Sequence, residues 1–154
     1  MHSVRSLVLA FVVAAAVLIT GTCITCSFGN EWTCASLASD FSISSTTPND
    51  MKWDIGGNGA PDPYGRLTVA RDGRAVSGGS ESIGMRSDAF GFTAPFFRQR
   101  GITIHRDDVI TIRLFDDDLG DDDVIGIAYL TVAGRTMRGS AENGAFSVTV
   151  TCEE

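Results

Sequence analysis

Apolar and polar residues alternate with a period of two in short bursts along most of this chain. Phe41 and Ile43 alternate with Ser42 and Ser44, Leu67 and Val69 follow a Pro/Gly-rich turn at 59–65, and Phe90 and Phe92 flank Gly91. Ile102 and Ile104 mark another burst. Ile110, Ile112 and Leu114 form the clearest one-sided run, Ala128, Leu130 and Val132 oppose Tyr129, Thr131 and Ala133, and Phe146, Val148 and Val150 close the series. Such alternation marks half-buried strands, and beyond Cys34 no segment holds a 3.6-residue apolar period over a helix length. Turn residues punctuate the bursts. Gly56-Gly57-Asn58-Gly59 and Gly78-Gly79 supply positions for positive φ, and Asn143-Gly144 is a hairpin signal. The pattern predicts an all-β antiparallel sandwich, with 115 residues from Leu37 to Thr151 available for its two inner faces.

The first residues follow another plan. One arginine, Arg5, precedes thirteen unbroken apolar residues, Leu7 to Ile19, and then Thr20-Gly21-Thr22. This is the layout of a secretory signal peptide, with an uncleaved N-terminal anchor as the alternative if the segment extends to Ile24. The expected organisation is therefore 1–22 signal or anchor, 23–36 a cysteine-containing linker, and 37–152 the folded domain. A secreted or cell-envelope, extracytoplasmic location follows, and Cys23, Cys26, Cys34 and Cys152 form an even set suited to an oxidising compartment. Of the three pairings, Cys34 with Cys152 is the most useful, because it staples the two ends of the domain. Cys23 and Cys26 form a CxxC in the cleavage region, a poor setting for a redox or zinc motif. Lipid on Cys23, giving a lipoprotein, fits only loosely because Thr22 is larger than the residue expected before such a cysteine.

Charge sharpens the reading. Removing residues 1–22 removes only Arg5, leaving eleven Lys/Arg against nineteen Asp/Glu, a net charge of −8. Eight of those acids are Asp54, Asp62 and the six aspartates between Asp116 and Asp123; without them the rest balances at eleven against eleven. The acidity is local. It excludes the basic footprint of a nucleic-acid surface and concentrates negative potential on two turns.

Six carboxylates in the eight residues 116–123 repel one another unless a cation compensates them, and oxygen-rich turns between strands suit a hard ion such as Ca²⁺. One short turn cannot surround an ion. The second acidic turn, Trp53 to Tyr64, brings Asp54 and Asp62 around a Gly-rich reversal, with Pro61 and Pro63 stiffening the chain beside Asp62. An EF-hand fails on the residues: counting from Asp116, the sixth position is Asp121 where glycine is required, and the twelfth is Ile127. Asp107-Asp108 reads as a solvent-facing turn beside Arg106. Trp53 and Tyr64 are expected to pack near their turn, and at least one of Phe96 and Phe97 to anchor the core.

Three features resemble a C2 domain: Asp62-Pro63-Tyr64 leading into a strand, an apolar strand ending in Leu114-Phe115-Asp116-Asp117-Asp118, and Asp122-Asp123-Val124-Ile125-Gly126 opening the next strand. The resemblance spans roughly 37–151 and implies an eight-stranded antiparallel β-sandwich binding Ca²⁺ through loops at one end. It carries ligand roles over to Asp54 and Asp62 from the first loop and to Asp116, Asp118 and Asp123 from the other, with Asp122 in reserve and backbone oxygens of Trp53 and Asp117 assisting. Asp54 and Asp62 stand eight apart where the familiar pattern has six, and Asp118 and Asp123 five apart where six is common. Those departures bear on how many ions the loops hold.

Two mechanisms follow. Calcium either lets the loop end dock on anionic phospholipid, or it ties the loops together and stabilises a module that binds an extracellular or envelope protein. Ile55 and Leu119 are the insertable residues visible at the tips. A hydrolase using paired carboxylates is the remaining alternative, and the chain offers it little: His105 is the one histidine after residue 22, crowded aspartates lack an apolar setting to raise one selectively, and no nucleophile elbow or phosphate loop is present. The expectation is a binding module and not an enzyme.

Overall fold

The computed structural model describes residues 29–53, 59–118 and 123–154. Ten strands form among them: β1 (Glu31–Cys34), β2 (Ser36–Ile43), β3 (Pro63–Arg71), β4 (Arg74–Ile83), β5 (Gly91–Phe96), β6 (Ile102–His105), β7 (Val109–Asp116), β8 (Asp123–Thr131), β9 (Thr136–Ser140) and β10 (Phe146–Glu153). Two four-stranded antiparallel sheets, β5-β2-β10-β9 and β4-β3-β7-β8, make the expected eight-stranded sandwich, and β1 pairs with β6 in a separate two-stranded ladder.

The alternating bursts place one residue in two inside. On β7, Ile110, Ile112 and Leu114 are fully buried, while Arg113 between them is exposed. They meet Leu67 and Val69 of β3, Ala128 and Leu130 of β8, and Phe41, Phe146, Val148 and Val150 of the opposing sheet in one core. Each such side chain contributes about 1.5–3 kcal/mol when fully buried. Phe96 and Phe97 are both core residues. Phe90 departs from the pattern: it lies just before β5 and is exposed, whereas Phe92 stacks on Phe41 with ring centroids 4.5 Å apart.

Local chemistry closes the connections. Asp72 and Gly73 take positive φ (50° and 74°) between paired Arg71 and Arg74, the backbone that a two-residue β3–β4 hairpin needs. Gly65 is demanded by packing, since a Cβ there would collide with the carbonyl oxygen of Arg113 across the β3–β7 ladder. Gly78-Gly79 lies inside β4, and the β3–β4 register shifts between Thr68 and Ala70.

Asp107-Asp108 requires a correction. Asp107 is exposed, but Asp108 is buried and receives a two-pronged contact from Arg71, Nε to Oδ1 at 2.8 Å and Nη2 to Oδ2 at 2.9 Å, plus the His105 amide at 2.8 Å. Burial alone would push this carboxyl up. The Arg71 fork, the His105 amide and the neighbouring positive charge outweigh it, holding Asp108 below the usual carboxylate range. Solvent exposure was the natural reading because its partner arrives from another strand, where Ala70 pairs with Val109.

Cys34 and Cys152 form a disulfide with a sequence separation of 118, joining the last residue of β1 to β10. Every described strand, the core and this bridge lie within 31–153, so this stretch carries its own core. Among the described residues no helix is long and apolar enough to cross a membrane. The segment 7–19 and residues Cys23 and Cys26 lie outside the described residues.

Candidate metal centre

Strand register assembles the acidic end. Pro63 pairs with Asp116, and Asp116 pairs with Asp123, so β3, β7 and β8 present Asp62, Asp116 and Asp123 at the same level. The β2–β3, β4–β5 and β7–β8 connections gather there. A bulge between Leu114 and Phe115 re-phases β8: Val124 stands exposed opposite Phe115, while Ile125 stays in the core.

Hydrogen bonds preset two of the carboxylates. The Asp62 amide donates to Asp116 Oδ1 at 2.6 Å, and the Asp117 amide donates to the Asp62 carbonyl at 3.2 Å. Asp88 brings in the third loop, its amide donating to Asp62 Oδ1 at 2.6 Å. Flanking amides of that loop bond to the same segment, Arg86 to the Pro63 carbonyl and Ala89 to the Pro61 carbonyl.

Asp116 is the unusual group. It is 2% exposed, and Oδ2 has no hydrogen-bond partner among the described residues. Buried oxygens without partners are rare and costly. Desolvation drives the Asp116 carboxyl up to about 6; the Asp62 amide opposes that rise, and the nearby charges of Asp118, Asp62 and Asp123 add to it.

The carboxyls line a cavity of about 610 Å³. Asp62, Asp116, Asp117, Asp118 and Asp123 contribute to its lining, as do Met51, Trp53 and Ala60, with Lys52 and Thr47 completing it. Trp53 is buried and its Nε1 donates to the Ser44 carbonyl at 2.8 Å, which fixes this edge of the β2–β3 connection. Tyr64 stacks against Phe115 with centroids 5.4 Å apart.

Of the residues expected at a calcium site, Asp62, Asp116, Asp117, Asp118, Asp123 and Trp53 are thus brought to one cavity. Asp54 and Asp122 lie outside the described residues, as do Ile55 and Leu119. Among the described residues no three acidic, histidine or cysteine side chains are already closed into a metal cage. The donor chemistry nevertheless fits a hard cation: all the charged donors are carboxylate oxygens, and one is buried and unpartnered.

Sequence reasoning missed a second feature of this end. Met51 (61% exposed), Met85 (51%), Phe90 (39%) and Val124 (56%) belong to the three connections or to the start of β8 beside them. Isolated apolar residues in turns have no periodic signature. The available signal was Met85 itself, an apolar residue inside the polar turn Gly84-Met85-Arg86-Ser87.

A pH dependence follows from Asp116. Its folded pKa lies above its unfolded value, so its stabilising contribution is fully present below about 4 and is lost as pH rises through about 6. In chelator, the domain is expected to be more stable at pH 5 than at pH 7.5, by roughly 1.4 kcal/mol from this group. Urea unfolding at the two pH values measures it. Asp108, whose pKa is lowered, acts in the opposite direction and only at more acidic pH, as its carboxylate protonates.

No protein-family model matches the chain, and no curated protein matches it. Several solved structures are similar. One described as a C2 domain is 12% identical, with 75% of this chain and 94% of that chain covered and a TM-score of 0.42. A C2 domain of plant Extended Synaptotagmin 1 is 10% identical, covering 76% and 92%, with a TM-score of 0.43. Human GIVD cytosolic phospholipase A2 is 14% identical over 80% of this chain and only 18% of its own, with a TM-score of 0.45.

Proposed function

We propose that this domain binds Ca²⁺ between its acidic loops and, when loaded, docks by that end on an anionic phospholipid surface outside the cytoplasm. The observation that carries the reading is the buried Oδ2 of Asp116, which has no partner among the described residues, beside Asp62, Asp118 and Asp123. These four would hold the ion, with Asp54 and Asp122 as further donors and backbone oxygens of Trp53 and Asp117 assisting. Bound Ca²⁺ supplies positive charge that offsets the carboxylates and offers coordination positions to phosphate or carboxylate oxygens.

The chain's own residues do the rest. Asp62 is oriented by the Asp88 amide, and Asp116 is held through Oδ1 so that Oδ2 remains for the ion. Met51, Met85, Phe90 and Val124 supply apolar surface, each worth up to about 1.5–3 kcal/mol if fully withdrawn from water. Lys52 and Arg86, on two of the same connections, add about 1 kcal/mol each at an anionic surface. The Cys34–Cys152 bridge supports an oxidising compartment, where modules can work with calcium at roughly 10⁻⁴ to 10⁻³ M. The reading involves no catalysis.

Flotation of residues 29–154 with phosphatidylserine-containing vesicles tests it: the protein is expected to float in millimolar calcium and to stay behind in chelator. A second reading, in which calcium only braces a protein-binding module, draws on the amide contacts that already tie the three connections together. Calcium-raised thermal stability without flotation would select that reading.

A further inference from the structure

We propose that Met51 and Met85 form a peroxide-sensitive modification site that controls docking; the inference rests on the lipid-docking reading above. Methionine is ordinarily a core residue. Met137 of β9 behaves that way, at 4% exposed. Met51 and Met85 are 61% and 51% exposed, and both lie at the acidic end on different connections. Met51 lines the acidic cavity together with Trp53. Met85 directly precedes Arg86, whose amide is bonded to the Pro63 carbonyl one residue beyond Asp62.

This placement combines adaptability with reactivity. A thioether on a flexible stem conforms to an irregular apolar phase, and its sulfur is open to two-electron oxidation. With a hydroperoxide as oxidant, the peroxide O–O bond breaks and one oxygen joins the methionine sulfur as a sulfoxide. The sulfur is oxidised by two electrons, and the peroxide is reduced to the corresponding alcohol, or to water when it is hydrogen peroxide. The product is polar where the rim was apolar. No thioether belongs to the proposed calcium ligands, so oxidation weakens docking and leaves ion binding in place.

The test uses residues 29–154, untreated or exposed to hydrogen peroxide, with phosphatidylserine-containing vesicles in millimolar calcium. Peptide mass analysis is expected to find one added oxygen on Met51 and on Met85 and none on Met137. Vesicle affinity is expected to fall roughly tenfold or more, with calcium affinity by calorimetry unchanged. A Met51→Leu/Met85→Leu variant is expected to keep, after peroxide, the vesicle affinity it had before treatment. Unchanged flotation of doubly oxidised protein overturns the modification site while leaving docking intact, as does an equal peroxide loss in the leucine variant. Failure of the untreated protein to float removes the docking reading, and this inference with it.

Discussion

Asp116→Asn is expected to stabilise the calcium-free domain and to abolish its response to calcium. At pH 7 the native carboxylate is largely ionised, yet Asp116 is 2% exposed and one oxygen has no partner among the described residues. The amide can keep an oxygen toward the Asp62 amide and turn its NH2 toward the surrounding carboxylates, so the buried charge goes while the contact stays. The expected gain in chelator is roughly 1–2 kcal/mol at pH 7, and the pH 5 to 7.5 difference in stability shrinks with it. In millimolar calcium the ranking reverses, because the wild type gains binding free energy that the variant cannot. Urea unfolding of both proteins, with calcium and with chelator, measures the crossing. A carboxylate serving only local structure would give a loss of stability in both conditions.

The second large effect lies at the other end of the sandwich. Replacing Cys34 and Cys152 with alanine is expected to cost about 4 kcal/mol, because the bridge closes 118 residues and its loss releases that constraint from the unfolded chain. For a domain of this size the midpoint of thermal unfolding should fall on the order of 15 °C. Both cysteines are buried, so a reductant acts slowly on the native protein. Calcium affinity, measured below the lowered midpoint, is expected to be retained, since the bridge and the acidic connections occupy opposite ends of β2.

How much was legible in the sequence depends on what each strand buries. β2, β3, β7, β8 and β10 carry alternating large apolar residues facing a shared core and announce themselves. β4 and β9 do not: β4 runs through Ser and Gly with Val76 and Ile83 as its larger apolar residues, and β9 places only Met137 inside. Both are sheet edges, where half the pairing and much of the burial are missing. Among the described residues β1 likewise pairs with β6 alone.

The acidic end divides the same way. Asp116, Asp118 and Asp123 were readable because strand boundaries and a charge run coincide there, and Asp62 because Pro61 and Pro63 flank it at the start of a strand. The register that sets Asp116 between Asp62 and Asp123, and the desolvation of Asp116, arise only when β3, β7 and β8 pair. The Asp88 amide on Asp62 comes from a connection whose sequence carries no periodic or metal-ligand signal. Asp108 was misread for the complementary reason, that its neutralising Arg71 is 37 residues away in sequence.

Calorimetric titration of residues 29–154 with calcium, alongside Asp62→Ala and Asp118→Ala, tests the calcium site most directly. Saturable binding at micromolar to millimolar calcium is expected, weakened at least about tenfold in each variant by loss of a charged oxygen ligand. Absence of binding heat and of any thermal shift at millimolar calcium, or wild-type affinity in both variants, would contradict the account.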